Sequence, residues 1–457
     1  MDRFFSSLAD CEWPATPPPY SAGLLSVLFQ LERSQWWTPE ELASQQFRQL
    51  NHVVQHAYRT VPFYRRKFDE RQLDSAKVAS PEHWAEMPLL ARRDIQLSGT
   101  ELHSTDIPTL HGPTKSSTTS GSTNQPVTTL GTGLTEFFWR VLTLRDHFWH
   151  RRDFSQSLAT IRYIGNKMAA TISDEVREEN WGVATQGVVS TGPAFRLSIQ
   201  STIEEQVRWL LRMKPGYLLS YPSALLAIAR SLEAQNEKLP ALLGLRTFGE
   251  ILEPECRQVC QRLFDVKIVD TYSSQEVGYI ALQCPEHQHY HTQSENLLVE
   301  ILDETGRPCR PGEIGRVVVT TLHNFAMPLL RYDIGDYAEV GERCPCGRGL
   351  PVLKRILGRK RNLLVMPDGQ RRWPLFNAGE RPEELPPFYQ FQVIQRSREQ
   401  IDVLVVRDES FNLPEEETVR KYMQQTLGFP FKIVIQVVES IPRSPTGKFE
   451  DFISEIS

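Results

Sequence analysis

Residues 118–126 read Thr-Thr-Ser-Gly-Ser-Thr-Asn-Gln-Pro, and six of those nine side chains are small hydroxyls or hydrogen. A packed core gains almost nothing from such a run, because there is little apolar surface to bury. A phosphate gains much: Gly121 lets the backbone approach closely, successive N–H groups can form a nest, and the hydroxyls add donors. Read alone, the run suits either a phosphate cradle or a mobile linker. A second group is unrelated to the first. Cys344-Pro345-Cys346-Gly347 is a tight Cys-x-Cys, and Cys284 lies upstream, followed by His287, His289 and His291. Three thiols and an imidazole suit tetrahedral zinc, although Cys-x-Cys is tighter than usual and the halves lie some sixty residues apart. Free cysteines in a loop are the alternative. A structural role is expected, since no open ligand position is evident.

The elements that must position these groups are legible in part. The prolines at 14, 17, 18 and 19 suggest an extended arm over residues 1–25. Helical spacing runs through residues 40–70 and breaks near Pro62. Further amphipathic helices are predicted over 203–213, 222–235 and Glu253–Phe264. A short strand at 266–270 then delivers Tyr272. Strands are predicted over 297–302 and 315–321, joined by the turn Asp303-Glu304-Thr305-Gly306. From residue 361 the order is strand, strand, helix, strand: 391–395 and 401–406 as a hairpin, 414–427 helical with Pro414 at its start, and 433–438 as the next strand. This reads as a large α/β body followed by a compact α+β module.

The 457 residues exceed the size of one ordinary core, so two or more domains are expected. The formal net charge is −5, and no long basic stripe appears, which argues against a nucleic-acid partner. No apolar run approaches a bilayer span, and the N-terminal residues lack a secretory pattern. Seven cysteines, an odd count, do not make a disulfide framework, and a cytoplasmic protein is expected.

Six segments follow in a fixed order: Thr118–Pro126, Gly249-Glu250, Tyr272–Glu276, Arg331-Tyr332-Asp333-Ile334-Gly335-Asp336, Gly358-Arg359, and Pro442-Arg443-Ser444-Pro445-Thr446-Gly447-Lys448. Together they resemble the adenylate-forming superfamily of acyl- and aryl-CoA ligases. Within it they are most similar to the phenylacetate–CoA ligase branch and its capsule-biosynthesis-type relatives. Tyr221-Pro222-Ser223, Ala326-Met327-Pro328 and Val61-Pro62-Phe63-Tyr64 are also similar to that branch.

The resemblance implies an α/β fold. A large multi-sheet N-terminal adenylation domain, residues 1–358, would bind ATP and the acid. A small mobile α+β lid, residues 359–457, would carry the catalytic Lys448. Thr119, Ser120, Gly121, Ser122 and Thr123 would grip the β- and γ-phosphates. Glu276 would hold Mg²⁺, since a hard cation takes carboxylate and phosphate oxygens. Tyr272 would lie beside adenine with Ser273 next to it, and Gly249-Glu250 along the other side of the base. Asp336 would accept both ribose hydroxyls, with Arg359 nearby. Lys448 would bridge the acid and the α-phosphate as charge builds. Some members of that branch carry a zinc site, which implies Cys284, His291, Cys344 and Cys346 as ligands, with His287 as the alternative imidazole. The implied reaction activates a small aryl or acyl carboxylic acid to an acyl-adenylate and transfers it to a thiol, CoA or the phosphopantetheine of an acyl carrier protein. An amine acceptor or a catalytically degenerate nucleotide-binding scaffold are the alternatives. Asn124, Gln125, Gln275 and the pair Arg361-Asn362 depart from the family pattern.

Overall fold

The computed structural model describes residues 4–118, 127–164, 175–359, 362–372, 374, 390–406, 416–444 and 447–456. Its contacts divide the chain into two compact units.

The first unit comprises Met1–Ser155, Glu179–Gly192 and Thr271–Ile356. Its helices are Pro19–Ser34, Pro39–Thr60, Pro62–Arg71, Arg92–Ser98 and Gly133–Trp149. The proposed arm is therefore shorter than expected. Pro19 occupies the first helical turn, where a missing N–H costs nothing, and Leu24, Leu28 and Leu31 bury one face. Helix Pro39–Thr60 starts with a reciprocal capping box between Thr38 and Glu41, and it ends one residue before Pro62 opens the next helix. The strands are antiparallel: Leu297–Leu302 pairs with Ile314–Thr321, which pairs with Tyr332–Val340. Tyr290–Thr292 pairs with Gly278–Gln283. Leu50, Val53, Val54 and Phe68 from the helices pack on Val317, Val319, Leu330 and Tyr332. Strands Thr114–Thr118 and Thr128–Thr132 form a separate antiparallel pair. They bracket the hydroxyl-rich run, whose members Thr119, Ser120, Gly121, Ser122 and Thr123 lie outside the described residues.

The second unit comprises Gln156–Glu178, Pro193–Asp270 and Leu357–Ser457. Here four strands run parallel, in the order Ala194–Ser198, Leu158–Arg162, Tyr217–Ser220, Gly244–Phe248. Helix Ile203–Met213 joins Ala194–Ser198 to Tyr217–Ser220, helix Pro222–Ala234 joins Tyr217–Ser220 to Gly244–Phe248, and helix Pro254–Phe264 follows the last of the four. Ile161, Leu197, Trp209, Leu218, Leu225, Ile228 and Leu245 form their common core. The C-terminal residues add a four-stranded sheet in the order Lys432–Val438, Gln400–Val406, Gln390–Gln395, Phe452–Ser454. It is covered by helix Glu416–Leu427, with Val393, Val403, Val419, Met423, Phe431 and Phe452 at its centre. The hairpin, helix and following strand were legible in the sequence. The last strand, three residues long, was not, because it carries no periodic pattern.

Candidate active site and metal centre

In an open parallel sheet, ligands bind beyond the carboxyl ends of the strands, where the connections leave in opposite directions. In the second unit that point lies between Leu158–Arg162, whose chain goes on to one neighbour, and Tyr217–Ser220, whose chain goes on to the other. Tyr163 follows the first strand and Tyr221 the second, and the Tyr221 hydroxyl bonds the Tyr163 backbone. Gly249 and Glu250 follow the next strand, Gly244–Phe248.

The lysine turn sits at the same end. Gly447 has φ +78°, and a Cβ there would come within 2.6 Å of Ile199 and 3.6 Å of Tyr221. Gly249 has φ +79°, and a Cβ there would meet Lys448 Cε at 3.3 Å and Tyr221 at 3.4 Å. Glycine is needed at both positions for left-handed backbone and close approach. Lys448 therefore runs across the Gly249 backbone.

Glu250 is turned toward the same turn. Its carboxylate accepts hydrogen bonds from Ser223 N at 3.1 Å, Phe449 N at 2.6 Å and Arg443 NH1 at 3.3 Å. Burial pushes its pKa up, and the Arg443 guanidinium opposes that shift. Asp451 is pushed up to about 6, first by burial and further by the charges of Glu250 and Glu450. Arg359 ends strand Val352–Arg359, and its N–H donates to Asn362 Oδ1 at 3.0 Å. Asn362 in turn donates to Phe452 O at 2.6 Å, which ties this strand end to the C-terminal sheet.

In the first unit, the Tyr272 hydroxyl donates to Asp336 Oδ2 at 2.8 Å. Strand Lys267–Ser274 carries the tyrosine and strand Tyr332–Val340 the aspartate. A bulge between Tyr272 and Ser273 re-aims the strand here, as bulges beside functional sites often do. Glu276 is buried and accepts Arg92 NH1 at 3.1 Å. Arg92 opens helix Arg92–Ser98 and was not singled out from sequence, where nothing separates it from a surface arginine.

The cysteines and histidines also converge in the first unit. Tyr290 points into the hydrophobic core, so its neighbours His289 and His291, two residues apart, share the opposite face. Zinc at about 2.3 Å from sulfur and about 2.0 Å from nitrogen requires tetrahedral edges of about 3.8 Å between thiolates and about 3.5 Å between thiolate and imidazole. Cys284 Sγ and Cys344 Sγ are 3.8 Å apart, and Cys346 Sγ and His291 Nε2 are 3.5 Å apart. His289 Nε2 lies 2.9 Å from Cys344 Sγ, and the donor atoms of Cys284, His289, His291 and Cys344 all fall within 4.8 Å of one another. His289 thus joins the cluster, an addition to the expected set, while the expected Cys346 lies outside that foursome. His287 stacks on His289 with ring centroids 5.2 Å apart and is outside that foursome.

The chemistry of the donors fits a metal. Burial lowers His291 to about 3, which keeps the ring neutral, and its Nδ1 is fixed by Leu350 O at 3.2 Å. Burial raises Cys344 to about 12. Burial opposes the Cys346 thiolate too, but hydrogen bonds and charge from Arg348 hold that thiol below its usual value. The knuckle is clamped by the N-terminal helices. Arg348 packs 4.8 Å from both Trp36 and Trp149, and Gly349 donates to Gln35 O at 2.8 Å.

Residues 387–455 match the CapK C-terminal domain. Phenylacetate–coenzyme A ligase of Thermus thermophilus is 26% identical over 348 residues, covering 72% of each chain. That of Escherichia coli is 24% identical over 428 residues, covering 89% of this chain and 93% of the relative. Over most of its length the chain is thus similar to phenylacetate–coenzyme A ligases. Its fold agrees: the crystal structure of 2-hydroxyisobutyryl-CoA ligase in the postadenylation state superposes with a TM-score of 0.71 at 18% identity, over 93% of this chain and 92% of that one.

Of the residues the ligase resemblance implied, the structure brings Gly249, Glu250 and Lys448 together in one unit and Tyr272 and Asp336 together in the other. Sequence reasoning passed over Arg443, although it lies in the same motif as Lys448. No helix among the described residues is long and apolar enough to cross a membrane.

Proposed function

We propose that this chain is an ATP-dependent, AMP-forming acid–thiol ligase. In the first step a carboxylate oxygen attacks the α-phosphorus of ATP, an acyl-adenylate forms and pyrophosphate leaves. In the second a thiol displaces AMP. Lys448 would stabilise the charge that grows on the α-phosphate oxygens, and Asp336, held by Tyr272, would receive the ribose hydroxyls. Thr119–Thr123 would bind the outer phosphates. Mg²⁺ would be held at Glu276 and neutralise phosphate charge. The single observation that carries the reading is Lys448 lying across Gly249 at the carboxyl ends of parallel strands, where that fold class binds its ligands.

The acid is read as a small aryl or acyl carboxylate, because the similar ligases act on such acids. CoA is the first candidate acceptor, and a carrier-protein phosphopantetheine offers the same thiol. Residues 359–457 would act as the lid. Zinc held by Cys284, Cys344 and two donors from His289, His291 and Cys346 would brace the knuckle rather than react. A cytoplasmic location suits these substrates.

The test is acid-dependent ATP–pyrophosphate exchange with pools of aryl and fatty acids, followed by mass detection of the product with CoA, carrier protein or amines. Exchange with at least one pool and a thioester product are expected. ATP binding with no exchange across the panel would contradict the reading and favour a scaffold.

A further inference from the structure

Resting on that ligase reading, we propose that Arg443 and Glu250 form a catch that seats Lys448 for the first half-reaction; both act as positioning residues. Three acceptors converge on one guanidinium nitrogen: Arg443 NH1 donates to Gly447 O at 3.0 Å, Ser223 Oγ at 2.9 Å and Glu250 Oε1 at 3.3 Å. Glu250 meanwhile accepts the Phe449 N–H at 2.6 Å and the Ser223 N–H at 3.1 Å. Gly447 and Phe449 are the immediate neighbours of Lys448. The pair thus holds the backbone on both sides of the lysine, against the first turn of helix Pro222–Ala234 and the glutamate that follows strand Gly244–Phe248.

The balance of forces suits a contact that engages and releases. The Glu250 side chain is only 5% exposed, whereas Arg443 is 20% exposed and within reach of water. Desolvation of a buried carboxylate nearly offsets its attraction to a partner, so such a pair contributes little net stability but fixes geometry strictly. Removing one partner leaves the other badly placed, and removing both does little more. Phe449 lies beside the Arg443 guanidinium, 5.9 Å from ring centroid to carbon, and shelters one side of the contact.

The experiment compares Glu250→Leu, Arg443→Met and the double variant, with Arg443→Lys as the conservative replacement. Each is assayed for acid-dependent pyrophosphate exchange, and separately for thiol transfer from supplied acyl-adenylate. Amide hydrogen exchange is read on the peptide containing Phe449. Each single variant should lower the exchange turnover by at least about tenfold, in Arg443→Met with the KM for ATP within about threefold, and the double should be no worse than the poorer single, as coupled residues behave. Thiol transfer should fall much less than pyrophosphate exchange. Arg443→Lys should recover part of the loss, since an ammonium keeps the charge and carries three N–H donors where the guanidinium nitrogen carries two. The Phe449 amide should exchange faster in Glu250→Leu. Losses that multiply in the double, an effect confined to the KM for ATP, or equal losses in both half-reactions would overturn the catch. Should the unaltered chain show no acid-dependent exchange, the ligase reading fails by itself. The Phe449 amide then decides the catch, and unchanged protection in Glu250→Leu overturns it.

Discussion

The Cys/His cluster and the lysine site are built on opposite plans. The cluster draws five donors from two short stretches, residues 284–291 and 344–346, and clamps them under tryptophans and glycine backbone. Three of its donors, Cys284, His291 and Cys344, are buried, and His289 and Cys346 are half-buried. The lysine site draws on residues 221–223 and 249–250 and, roughly two hundred residues later in the chain, on 443–444 and 447–449, and joins them by one guanidinium and one carboxylate. The first arrangement is made to persist. The second depends on a contact whose net energy is small. On the proposed reading the first would brace the fold, and the second would deliver a charge at the right moment.

The comparison breaks most sharply at the cluster. Cys344→Ser should abolish bound zinc, measured as metal per chain, and destabilise the fold by several kcal/mol, since metal binding energy is folding energy. Metal-free protein with an unchanged melting temperature would remove the bracing role. Gly249→Ala should leave the fold intact by circular dichroism but reduce pyrophosphate exchange by roughly tenfold, because left-handed backbone strains a non-glycine residue and the methyl would crowd Lys448. Tyr272→Phe keeps the ring and loses the hydroxyl bond to Asp336. The KM for ATP should rise by about threefold to tenfold with turnover nearly retained, the size of one ordinary hydrogen bond.

The smallest effect concerns pH. Asp451 is raised to about 6 in the folded chain, from an unfolded value near 3.8. Between those values the folded state binds more protons, so its contribution to stability is lost as pH rises through that window. Asp451→Asn should therefore raise the melting temperature above about pH 6 and give no gain by about pH 4. A gain equal at both ends would mean that burial of the charge is not the cause.

Much of this was written in the sequence where local chemistry governs. Helix 203–213 was legible to the residue, because Thr202 and Glu205 form a capping box before an amphipathic run. The C-terminal hairpin and helix followed from alternation and periodicity. Helix Pro19–Ser34 was partly hidden, since a proline cluster reads equally as an arm and as a first turn. In the sites, motif order singled out Lys448, Glu276, Tyr272 and Asp336. It did not single out Arg92, Arg443 or the part of His289. Their significance lies in partners distant in the chain, and no local pattern records such a meeting. His289 was the nearest to legible, since residues two apart on a strand share a face.

The most direct measurement is ATP–pyrophosphate exchange with an acid that the chain activates, for the chain itself and for Lys448→Ala. Loss of one key charge stabiliser predicts a fall of at least about 10²-fold in exchange, with ATP still bound. Exchange that survives the substitution unchanged would contradict the account, because the charge on the transferring phosphate would then be met by some other group.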